Sequence, residues 1–271
     1  MDAAVEPGEP APKGSPKARE MTRAAVRHAA PFVVWIGVML LAQAMHLSPS
    51  SATEETPSLD LVSDAGLYAL RTALCLAALA LLRPWRHYRG LFSARHLPAA
   101  LAAGAAVFAL WVVPQADWFR ALCPRLADLY GTWLVGKPGV PPDFAAAAEK
   151  ARLWFSPAET GWPLFAVHMV GTGLAISTAE EFFWRGYLLR AARTPDFLDV
   201  PVGAFHAVSF LAVSAAFAAE HSEWAAGFAA GAVYGALYLR TRDIWAAVAA
   251  HAATNILLGA YVLAAGHWEF W

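Results

Sequence analysis

Residues 162–189 read WPLFAVHMVGTGLAISTAEEFFWRGYLL, an apolar run long enough to cross a bilayer as one helix, with Glu180, Glu181 and Arg185 embedded in it. Ionisable groups at such depth are costly and ordinarily mark function. Adjacent helical residues point ~100° apart, so Glu180 and Glu181 cannot both face one small cavity. Arg185 follows Glu181 by four, the spacing that pairs side chains on one helix face. The partition that follows sets Arg185 against Glu181 and leaves Glu180 turned elsewhere with Ser177 and Trp184, as the working carboxylate. The bland alternative is a buried ion-pair cluster that locks helices together.

Working outward, further apolar runs fall at residues 30–47, 67–82, 97–113, 201–219, 224–239 and 244–265. The expected fold is all-α, a polytopic transmembrane bundle of about seven to eight helices. Composition agrees: 58% of the 271 residues are hydrophobic and 15% charged, whereas soluble domains carry about 25% charged residues. The formal net charge of −1 gives no reason to expect a nucleic-acid partner. Cys75 and Cys123 make neither a disulfide framework nor a thiolate metal site. Four segments follow: a disordered basic tail (1–29), amino-terminal transmembrane helices (30–114), an extracytoplasmic loop (115–161) and a catalytic helical core (162–271). Within the loop, residues 143–155 read as a short helix lying on the membrane face or as ordinary loop.

Basic residues predict the orientation. Lys17, Arg19, Arg23 and Arg27 precede the first run, while Glu54, Glu55, Asp60 and Asp64 fill the next loop without Lys or Arg. Arg83, Arg86, Arg89 and Arg95, then Arg190 and Arg193, then Arg240 and Arg242 mark alternate loops. The positive-inside rule places those loops and the amino terminus in the cytoplasm, and the carboxyl terminus outside. An alternative reading takes residues 32–41 and Ala42-Gln43-Ala44 as a signal peptide with its cleavage site. Arg71 reads most simply as snorkelling to the interface, with a bundle carboxylate as the other partner. His168 and His206 read as structural.

Two more clusters lie in the carboxyl half. Phe217 and His221 are four apart, so the ring can orient the imidazole; His251 and Asn255 share one helix face at the same spacing. Alone, His221 is a helix-end or core histidine and His251 with Asn255 a helix-to-helix clamp. Glu220 and Glu223 flank His221 and either are solvated or modulate it. Together the clusters supply a carboxylate, two imidazoles and an amide, and convergence on one cavity is the economical arrangement in a bilayer. By depth, Glu180, His251 and Asn255 meet near the midplane. His221 ends its run on the outer side, which requires a tilted or deep-starting helix, or a cavity open outward.

Glu-Glu-Phe-Phe-Trp-Arg, Phe-Ala-Ala-Glu-His and His-Ala-Ala-Thr-Asn resemble, in order and spacing, the three motifs of the CAAX-protease and bacteriocin-processing family, the type II prenyl endopeptidases or ABI proteins. The carboxyl-terminal stretch is similar to a narrower group, the CAAX prenyl protease-related proteins associated with exosortase systems. The resemblance implies an intramembrane endopeptidase acting on a membrane-associated protein substrate, in which Glu180 activates water and His221 helps take and return the proton. It implies that His251 and Asn255 stabilise the oxyanion, with Glu181, Arg185 and Phe217 in support. No cofactor is expected; the alternative is zinc held by Glu180, His221 and His251. The rival from another class is a non-catalytic membrane scaffold or immunity-type partner.

Overall fold

The computed structural model describes residues 11–46, 64–88, 93–136 and 143–271; the acidic Glu54, Glu55 and Asp60 and the basic Arg89 lie outside them. Helix α1 (Pro16–His46) packs on α2 (Asp64–Leu82), and α3 (Leu97–Val112) leads into the insertion. The insertion folds as α4 (Asp117–Leu122), α5 (Pro124–Leu129) and α6 (Phe144–Phe155). A continuous helix, α7 (Trp162–Ala191), follows. The chain ends in α8 (Ala207–Ala218), α9 (Trp224–Thr241), α10 (Ile244–Ala265) and a single turn over Trp268–Phe270. The fold is all-helical, as its apolar runs require.

Among the described residues, five helices are long and apolar enough to cross a membrane: Pro16–Leu41, Gly66–His87, Ala94–Gln115, Trp162–Ala191 and Ile244–Ala265. Large apolar side chains such as Leu81, Val33, Leu101 and Leu211 stand exposed on them and on α8. Large apolar side chains left exposed along helices of this length face lipid. The chain is an integral membrane protein. Two of the seven apolar runs form different elements. Residues 201–206 are not helical, so α8 has only 12 residues, about 18 Å at the helical rise. Helix α9 carries Gly and Tyr on its buried face, Gly227, Gly231, Tyr234 and Tyr238 among them, and lies inside the bundle.

The basic amino-terminal stretch, expected as a disordered tail through residue 29, is helical from Pro16. Lys17 Nζ bridges Asp199 and Asp196 at 2.6 and 3.0 Å. Met21 and Ala24 pack on Phe197, and His28 is fully buried. Those contacts come from the loop after α7, which composition alone does not reveal. In the insertion, Asp143 caps α6 by accepting from the Ala146 N–H at 3.0 Å, so a helix does span residues 144–155.

Other polar groups in apolar runs find local partners. The Arg71 guanidinium stacks on Trp35 and Tyr68 at 4.4 and 4.1 Å from the ring centroids, an aromatic box in place of a free snorkel. His168 is buried among Tyr68, Phe155 and Trp271 and accepts from the Trp271 indole. His206 caps α8 by accepting from the Ser209 N–H.

Helices of the two halves approach closely through small residues. A Cβ at Gly104 of α3 would sit 2.5 Å from the Ala250 carbonyl oxygen of α10. Only glycine permits that contact, and Thr254 Oγ1 donates to the Gly104 carbonyl at 2.9 Å across it.

Candidate active site

Helix α7 departs from regular geometry on both sides of its carboxylates. Wider i→i+5 turns run over Gly171–Ile176 and Phe182–Leu188, with Ser177–Glu181 regular between them. Such π-type stretches re-aim side chains and concentrate at functional sites. Arg185 Nη1 donates to Glu181 Oε1 at 2.9 Å, the i to i+4 pairing its spacing predicts, and Nη2 donates to the Gly231 carbonyl at 2.9 Å. Both side chains are almost fully buried. The guanidinium also lies over the Phe217 ring at 4.6 Å.

The same Glu181 Oε1 lies 2.9 Å from His251 Nδ1. A carboxylate only accepts, so His251 carries its proton on Nδ1 and presents Nε2 as a lone pair when neutral. Tyr234 stacks on the imidazole at 5.0 Å and 19° between planes, and its hydroxyl donates to Thr254 Oγ1 at 2.7 Å. His251 is thus fixed by a carboxylate on its edge and a ring on its face.

His221 follows α8, in the short connection to α9. Its Nδ1 donates to the Phe217 carbonyl at 2.8 Å, and Phe217 and Trp111 pack on the ring at 4.7 and 5.4 Å. Burial pushes its pKa down to about 4, so the ring is neutral and Nε2 is a free lone pair. The depth problem posed by the sequence is solved by length: α8 is too short to reach the far surface. Its end, with His221, stops level with His251 and Asn255.

Asn255 Nδ2 donates to the Thr172 carbonyl at 2.8 Å and to Ser177 Oγ at 3.2 Å. Ser177 itself donates to Thr172 O at 2.8 Å, which leaves it without a base. Glu180 is buried, and its Oε2 has no hydrogen-bond partner among the described residues. It is near enough to Glu181, Glu220 and Arg185 to feel their charges.

A cavity of about 240 Å³ brings His221, His251 and Asn255 to one wall, with Phe217 and Tyr234 beside them. Glu180, Glu181 and Arg185 lie behind that wall and are not part of its lining. Sequence reasoning did not find the rest of the enclosure. Trp111 comes from the end of α3, and Glu269, Phe270 and Trp271 come from the final turn. Glu223, at the mouth, accepts from the Tyr130 hydroxyl at 3.2 Å, and the Gly136 N–H donates to the Ser222 carbonyl at 2.6 Å. Glu223 was marked only by its place beside His221, and the others have no motif spacing that would give them away. Among the described residues, no group of three His, Cys, Asp or Glu side chains is arranged to hold a metal ion.

Residues 162–257 match the family model described as type II CAAX prenyl endopeptidase, Rce1-like. Over this stretch, which runs from α7 to the middle of α10 and includes all seven residues of the three clusters, the chain is similar to that family. No curated protein and no solved structure matches the chain.

Proposed function

We propose that the chain is an intramembrane endopeptidase that cleaves a membrane-associated protein near its carboxyl-terminal segment. The observation that carries this reading is the pair of imidazoles whose Nδ1 atoms are both committed, to the Phe217 carbonyl and to Glu181, so that both Nε2 lone pairs are left for chemistry. The family match supports the reaction class.

In this mechanism Glu180 takes a proton from water as the oxygen attacks the scissile carbonyl carbon. The new oxyanion accepts from Asn255, and from His251 Nε2 in the form that carries a proton on each ring nitrogen; the Nε2 proton stays on the imidazole throughout. The carbon–nitrogen bond then breaks as the amide nitrogen receives the proton held by Glu180 or relayed through His221 Nε2. The products are a new carboxylate and a new amine. Zinc held by Glu180, His221 and His251 is the second reading, but among the described residues these side chains are not arranged as a metal cluster. Full activity after chelation, with no metal in the purified protein, rules it out.

The cavity lies toward the ends of helices opposite the arginine-rich loops, which favours access from the outer face. A cysteine at position 222 that labels only from the cytoplasm would reverse that assignment. Outward access and the carboxyl-terminal resemblance favour processing of protein-sorting signals in an exosortase-type system.

The test compares tagged sorting substrates in cells carrying wild-type or Glu180→Ala protein at equal membrane levels. A carboxyl-terminal fragment seen only with wild type supports proteolysis. A Glu180→Ala protein that fully rescues a deletion would instead identify a scaffold.

A further inference from the structure

A second and larger cavity, of about 720 Å³, shares no lining residue with the one around His221 and His251. It sits where the ends of α2 and α7 meet the starts of α3 and α10, among the arginine-rich connections. We propose that it binds a phosphate-bearing anion at the membrane boundary.

Three guanidinium groups line it: Arg95, Arg190 and Arg242. Arg190 is 5% exposed and donates to the carbonyls of Val200, Leu198 and Gly186 at 2.9, 3.1 and 3.5 Å. That uses three of the five guanidinium donors. The Arg190 guanidinium also lies over the Phe197 ring at 5.6 Å and beside the Tyr88 hydroxyl. Among the described residues no carboxylate pairs with it, and a buried cation held by neutral groups alone is an incompletely compensated charge.

Among the described residues Asp243 is the one carboxylate on the wall, and it is already engaged. Its Oδ1 caps α10 through the Trp245 N–H at 3.0 Å, and its Oδ2 accepts from His96 Nδ1 at 3.0 Å. His96 Nε2 in turn accepts from Arg95 Nε at 3.0 Å. That chain requires a neutral His96 and leaves the Arg95 terminal nitrogens free. Counting three arginines against Asp243, the wall carries a net charge of +2.

Trp245 Nε1, a donor only, is buried here without a partner among the described residues. The amino-terminal end of the 22-residue α10 adds its positive dipole end. Converging guanidinium groups suit a tetrahedral, multiply accepting oxyanion better than a single carboxylate. The cavity is far larger than bare phosphate needs and fits a headgroup. Every helix that forms it ends here, which puts it at the depth of lipid phosphates.

The test uses the full chain in neutral detergent and does not depend on proteolysis, so it stands or falls apart from the function proposed above. Native mass spectrometry with phosphatidylglycerol against phosphatidylcholine reads lipid retention; melting temperature against inorganic phosphate reads a soluble anion. Selective retention of phosphatidylglycerol, weakened about tenfold in Arg95→Gln/Arg242→Gln as charge-assisted contacts are lost, assigns a lipid headgroup. Stabilisation by phosphate alone, lost in the same variant, assigns a soluble phosphate. Absence of any saturable response to either probe, or an unchanged response in the double variant, overturns the proposal. The two substituted side chains are exposed, so the variant keeps its fold even if Arg190→Gln does not.

Discussion

His251 Nδ1 lies 2.9 Å from Glu181 Oε1, a contact between residues 70 apart in sequence. It makes Glu181 the hinge of two pairs, since Arg185 donates to the same oxygen. Glu181→Gln keeps an acceptor for one of them and removes the charge that both donors face. The variant should remain inserted while kcat falls about 10- to 100-fold, as for partners that orient a reactive group, with KM little changed. An unchanged kcat would make Glu181 a purely structural anchor.

Asn255 is asked to donate to an oxyanion while both its N–H groups are engaged, by Thr172 O at 2.8 Å and Ser177 Oγ at 3.2 Å. The longer bond is the one to yield. Asn255→Ala should lower kcat about 10²- to 10³-fold, the usual loss for one oxyanion donor. Ser177→Ala should leave kcat within about threefold, since it removes only a competitor for that donor. A Ser177→Ala loss as deep as that of Asn255→Ala would point to a nucleophilic serine.

Helix α9 reaches His221 through Gly227, where an added Cβ would lie 3.2 Å from both Ala218 Cα and the His221 Cβ. Gly227→Ala therefore pushes the imidazole by a few tenths of an ångström. Because geometry errors of this kind are expensive in catalysis, kcat should fall about tenfold or more. Stability should change by only about 1 kcal/mol, the lower end for mild overpacking. Melting temperature and turnover measured on the same preparation separate the two effects.

How much of this could be read in advance depends on spacing. The i to i+4 pairs were legible, because Glu181 with Arg185 and Phe217 with His221 follow from helical periodicity alone. So were the membrane character and the all-helical class, since apolar runs of such length have few other solutions. Contacts across helices were not. Nothing in local pattern joins Glu181 to His251 or stacks Tyr234 on His251, and nothing puts Trp271 against the cavity. Helix ends were also hidden: α1 starts at Pro16, where Lys17, Met21 and Ala24 meet the loop after α7, and α8 starts late, after residues 201–206 that hydropathy counted as span. That late start brings His221 into the site.

Glu223 offers a reading by pH. It lies in the connection before α9 and is buried at the cavity mouth against Tyr130. Burial pushes its carboxyl pKa up to about 7 from an ordinary 4.5, and Glu269 nearby adds to the rise. Between those values the unfolded chain has released its proton and the folded chain has kept it, so stability falls as pH rises through that window. Glu223→Gln keeps an acceptor for the Tyr130 hydroxyl and removes the titration. Melting of the two proteins from pH 4.5 to about 8 should diverge in favour of the variant, by at most roughly 3 kcal/mol. The difference should open above pH 4.5 and level off beyond about 7. Parallel curves would mean that Glu223 ionises freely in the fold, with water reaching the cavity mouth.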